Sequence, residues 1–78
     1  MATAAERRAY YAHQRETVLA AVPARRWAGT AAVAAATPWG LRTVRRVLLR
    51  HAEGAGVARR YDATGYLLWR QGPQCCEP

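Results

Sequence analysis

Residues 29–69 read GTAAVAAATPWGLRTVRRVLLRHAEGAGVARRYDATGYLLW, and the order of signals in this stretch decides the fold. Gly29-Thr30 opens a short, alanine-rich helix over 30–36, with Thr30 as its N-cap and Val33 as its one large apolar side chain. Thr37-Pro38-Trp39-Gly40 is a turn. A third helix follows over 41–52. Val44, Val47, Leu48 and His51 recur there at i, i+3, i+4 and i+7, which marks a buried face. Arg42, Arg45, Arg46 and Leu49 fall on the opposite face, with Arg50 at its edge. Glu53-Gly54-Ala55-Gly56 ends the helix, because glycine gives up helical preference and accepts positive φ. Val57–Tyr61, the turn Asp62–Gly65 and Tyr66–Arg70 then form a hairpin. Alternation puts Tyr66, Leu68 and Arg70 on one face of the second strand, and Leu67 and Trp69 on the other.

Upstream, residues 3–21 contain no glycine or proline and read as a long first helix. Thr3 is its N-cap, with Glu6 three residues on in a capping-box pattern. Tyr11, Arg15, Val18, Leu19 and Val22 form its inward stripe, interrupted by Arg15. Pro23 stops it. Residues 25–28 are a link in which Trp27 is a candidate stub of strand. The domain therefore spans 1–70, and residues 71–78, with Cys75 and Cys76 side by side, read as a flexible tail whose thiols stay reduced. The expected fold class is α+β: three helices followed by a two-stranded hairpin.

With 78 residues, the chain makes one small domain. Such a domain buries only about 60% of its unfolded surface. Alanine fills 18 positions and serine is absent; lysine, asparagine, isoleucine and phenylalanine, whose codons are A/T-heavy, are absent too, a bias that fits a G+C-rich gene. All 12 basic residues are arginine, against 5 acids, for a formal charge of +7. The imbalance is local. From Arg42 to Arg60 there are six arginines and one acid, a net +5; the rest of the chain has six arginines and four acids. Codon usage explains the choice of arginine but not the excess of charge, which implies a polyanionic partner, nucleic acid before a membrane surface.

The residues argue against catalysis. His13, His51, five carboxylates and two adjacent cysteines show no triad, carboxylate pair or metal-ligand spacing, and Gly54-Ala55-Gly56 is no phosphate-binding glycine loop. The expectation is a non-enzyme with no cofactor, no metal and no small-molecule ligand. No run approaches the roughly 18 apolar residues of a membrane span, and the first residues lack the apolar core of a secretory signal. The expected location is the cytoplasm, with the nucleoid. Base stacking by Trp27, Trp39 or Trp69 is one use for the tryptophans. With no Phe or Ile to fill the interior, Trp39 and Trp69 are assigned to the core. Leu49 is expected to pack under Leu67 or Trp69, His51 to lie at the core edge, and His13 to be solvated. Tyr10 and Tyr11 either cover the core's edge or pair with a second copy.

Thr30, Val33-Ala34, Thr37-Pro38-Trp39, Thr43-Val44-Arg45-Arg46-Val47-Leu48 and Gly56-Val57 together resemble the winged helix-turn-helix DNA-binding domains of bacterial, actinobacterial-type, transcription regulators, over roughly residues 16–70. The sequence departs from that pattern at Pro38, Trp39 and His51, and in a third-helix segment one residue longer than usual. The resemblance implies a recognition helix over 41–52 that contacts double-stranded DNA through Leu41, Arg42, Thr43, Arg45, Arg46 and Arg50. It implies a wing over 57–70 whose Arg59, Arg60 and Thr64 touch phosphates or a minor groove. The helix start at Thr30 is a further phosphate contact. It also implies a homodimer on half-sites about one helical turn apart. The expected role is a small transcriptional regulator acting by site occupancy on a replicon, plasmid or phage genome. The other roles are protein–protein contact in a larger assembly and nonspecific nucleic-acid binding. Six arginines on phosphates would give a salt slope of about −5 in log K against log concentration.

Overall fold

The computed structural model describes residues 3–72. It contains α1 (Ala4–Ala20), β1 (Ala28–Gly29), α2 (Thr30–Ala35), α3 (Leu41–His51), β2 (Val57–Tyr61) and β3 (Leu67–Gln71). Thr3 starts α1 as its sequence requires. Its hydroxyl accepts from the Glu6 amide at 3.1 Å, and the Glu6 carboxylate accepts from the Thr3 amide at 2.8 Å. The face that α1 buries differs from the stripe read in its sequence. Gln14 and Val18 point inward, with buried Val22 just beyond the helix end; Leu19 and Arg15 are half-buried, and Tyr11 is exposed. A polar residue thus holds a core-facing position that an apolar periodicity count passes over.

The sheet has three antiparallel strands rather than two, in the order β1-β3-β2. Ala28 pairs with Trp69 and Gly29 with Leu68, so the added strand begins one residue after Trp27. Two residues are too few to leave a period-two signature in sequence. β3 runs from Leu67 to Gln71 and not from Tyr66, because the Tyr66 amide turns to the Asp62 carboxylate at 2.9 Å instead of entering the ladder.

Cross-strand partners share a sheet face. Ala28, Trp69 and Val57 accordingly lie on the face that packs with Val18, Val22, Val33, Ala34, Val44, Val47, Leu48 and Ala52 to form the core. Trp69 is its largest fully buried side chain, whereas Trp39 is only half-buried at its margin. After α3, the chain closes onto β2 through a 2.8 Å bond from the Val57 amide to the Ala52 carbonyl, with Gly56 at φ +78 in the left-handed region.

Gln71 and Gly72 belong to the fold, not to a tail. The Gln71 side-chain amide donates to the Val22 carbonyl at 2.9 Å and to the Leu19 carbonyl at 3.2 Å, which also accepts from the Val22 amide, and so ties β3 to the chain leaving α1. The Gln71 amide donates to Pro23 and the Gly72 amide to Gly56, each at 2.8 Å. Gln71→Ala is therefore expected to lower stability by about 1–2 kcal/mol, read as a lower denaturant midpoint at unchanged slope. Residues 73–78, including Cys75 and Cys76, lie outside the described residues.

Candidate nucleic-acid interface

Gly40, extended at φ −79 and ψ 171, is the N-cap of α3 and offers no side chain to its first-turn N–H groups. With Val44, Val47 and Leu48 buried against the core, the helix turns Arg42, Arg45, Arg46, Leu49 and Arg50 outward onto one shallow surface. Leu41 stands at the start of this face, 49% exposed, and Thr43 is half-buried at its side. His51 sits half-buried on the inward side. The guanidinium groups of Arg42, Arg45, Arg46, Arg50 and Arg59 have no ion-pair or hydrogen-bond partner among the described residues. Unpaired like charge on one helix face costs stability that an incoming polyanion removes.

The hairpin divides its two adjacent arginines. Arg59 faces Trp69 across the ladder and so lies on the α3 side. It lines an open groove of about 480 Å³ with Leu48, Leu49, Glu53 and Trp69. Leu49 stays 49% exposed in that groove, so it does not pack away under Leu67 or Trp69. Arg60 pairs with Leu68 on the opposite face, where its guanidinium lies 4.6 Å from the Trp27 ring centroid. Arg70 lies 4.8 Å from the same ring, and its Nε is buried without a hydrogen-bond partner among the described residues. Trp27 thus serves the back of the sheet through cation–π contact, and Arg60 is turned away from the α3 face.

Thr30 and Thr64 also stand apart from the α3 face. Gly29, not Thr30, is the N-cap of α2, and the Thr30 hydroxyl accepts from the Trp69 indole N–H at 2.8 Å. That bond ties the first turn of α2 to β3. Thr64 sits at the hairpin tip, where its hydroxyl and amide donate to the Asp62 carboxylate at 2.8 and 2.9 Å. The Thr64 hydroxyl, followed by the Tyr66 amide, holds the Asp62 carboxyl below the ordinary carboxylate range. A depressed folded value stabilises the turn above the unfolded value and is lost as pH falls through the folded one. Acidification below the usual carboxylate range is therefore expected to shift the Thr64 and Tyr66 amide resonances before the core unfolds.

A second wall of the α3 surface was not legible in the sequence. Tyr11, Gln14 and Arg15 of α1 face Arg46, Arg50 and His51 of α3 across a cleft of about 350 Å³. The available signal was Arg15 itself, a charge placed within an apolar stripe. Tyr10 covers the core's edge: its hydroxyl accepts from the Trp39 indole N–H at 3.1 Å. His13, although exposed, stands edge-on to Trp39 at 6.1 Å.

No family model matches the chain, and neither a curated protein nor a solved structure is significantly similar to it. Among the described residues no helix is long and apolar enough to cross a membrane.

Proposed function

We propose that this chain is a winged helix-turn-helix protein that binds double-stranded DNA with α3 in the major groove, and that it regulates transcription by occupying its site. The element order and the β1-β3-β2 sheet are compatible with that fold. The observation that carries the reading is the outward face of α3, where four guanidinium groups lack partners among the described residues. An α-helix fits the major groove, and arginine's fork matches the O6 and N7 acceptors of guanine. The exposed Leu41 and Leu49 suit the methyl group of thymine. The uncapped first turn of α3 suits a backbone phosphate. Arg59 reaches the flanking backbone from the hairpin.

A homodimer would place two such helices in successive major grooves. Tyr11, 55% exposed on α1, is available to a second copy, and sedimentation at micromolar protein tests this pairing. The test of DNA binding as such is mobility shift with a random-sequence duplex across a salt series. With Arg60 on the far face, five arginines remain on the α3 side, and the slope expected per domain is at most about −4.5. Absence of retardation at about 50 mM salt would remove the DNA reading and leave α3 as a contact for an acidic protein surface.

A further inference from the structure

The cleft between α1 and α3 has the make-up of a site for an anion smaller than a duplex. Its floor holds Gln14, 5% exposed, whose amide has no hydrogen-bond partner among the described residues and opens onto the cleft. With no protein partner among the described residues, this amide is free to bond a group that enters the cleft. Arg15 stands on one wall and Arg46 and Arg50 on the other, with Tyr11 and His51 completing the lining. None of the described carboxylates lines it. Three guanidinium groups, an amide and a phenol present N–H and O–H donors to a space of about 350 Å³, within the range of small-molecule sites.

We infer that this cleft binds a free oligophosphate, the di- or triphosphate portion of a small molecule, and that the bound ligand competes with duplex DNA for Arg46 and Arg50. Three formal positive charges exceed what one phosphodiester neutralises, which favours an oligophosphate over a single backbone phosphate. Planar guanidinium forks and the Gln14 amide match its many oxygens. The Gln14 amide lies on the floor of a concave cleft rather than on the convex face of α3, which further favours a free ligand. Only the competition rests on the DNA-binding reading; the site itself does not.

The test uses the full chain and inorganic pyrophosphate, by calorimetry and thermal melting at constant ionic strength, with sulfate and chloride as controls. Saturable one-to-one binding, a rise in melting temperature and a shifted Gln14 side-chain amide resonance are expected. Arg15→Gln is expected to weaken binding roughly ten- to a hundredfold, the effect of losing one charge-assisted contact. Arg25→Gln, which removes the same charge outside the cleft, is expected to keep wild-type affinity. Equal losses in the two variants, stabilisation without saturation, or an unmoved Gln14 resonance would reduce the effect to an adventitious ion only and overturn the site. Saturating pyrophosphate is further expected to lower duplex affinity at least about tenfold. Unchanged duplex affinity would overturn the competition, whereas a protein that binds pyrophosphate but no duplex would contradict the DNA-binding reading alone.

Discussion

Trp69→Ala is expected to lower stability by about 3–5 kcal/mol, the range for removing a fully buried large aromatic side chain. Trp69 is 0% exposed, sits on the central strand, and has Ala28 and Arg59 as its ladder neighbours. Its indole N–H also binds Thr30 across 39 residues of sequence. A chain of this length has a total stability of roughly 4–12 kcal/mol, so the loss takes a large share of it and leaves the variant partly unfolded at room temperature if the parent lies at the low end of that range. Thr30→Val separates the two contributions, because it removes the acceptor and keeps the shape; it is expected to cost about 1–3 kcal/mol, since the indole N–H is left unsatisfied. Chemical denaturation of the three proteins measures both. A loss below about 1 kcal/mol for Trp69→Ala would mean that the sheet does not rest on this side chain.

Substitutions on α3 are expected to act on binding and to leave the fold alone. Arg45→Ala and Arg46→Ala should each cost about 1–3 kcal/mol of duplex affinity if they read bases, and should relax sequence preference at the positions they touch. Replacing Arg42, Arg45, Arg46 and Arg50 together with glutamine should also reduce the magnitude of the salt slope by about 3.6. Melting temperature should stay level or rise, because these arginines are exposed, have no partners among the described residues, and repel one another. Arg60→Ala is a useful contrast, since its guanidinium stacks on Trp27 behind the sheet; its effect on affinity should be the smaller one. If Arg59→Ala abolished binding while the Arg45 and Arg46 variants bound normally, the hairpin would be the reading element.

What was legible in the sequence follows from which forces leave periodic or positional marks. α3 was legible to within one residue, because valine and leucine at helical spacing against arginine define both its faces. The hairpin was legible from its glycine-closed turn, with Gly65 at φ +93 supplying the conformation that turn needs. β1 left no mark, being two residues long and held by pairing with a strand some 40 positions away. The inward face of α1 was misassigned because Gln14 is buried against expectation for its type. Adjacent arginines 59 and 60 carry equal weight in a charge count. Only the register with β3 separates them, one toward α3 and one toward Trp27. Thr30 was assigned a cap's role from its residue type, but its hydroxyl is held by an indole that sequence proximity does not reveal.

Major-groove reading by α3 is tested most directly by chemical interference on a duplex selected from a random pool by the protein itself. Methylation at guanine N7 places a group in the major groove, and methylation at adenine N3 places one in the minor groove. Strong interference at guanine N7 within each half-site is expected, lost at individual guanines in Arg45→Ala or Arg46→Ala. Interference confined to adenine N3, or a pool in which no sequence is enriched, would contradict the placement of this helix in the major groove.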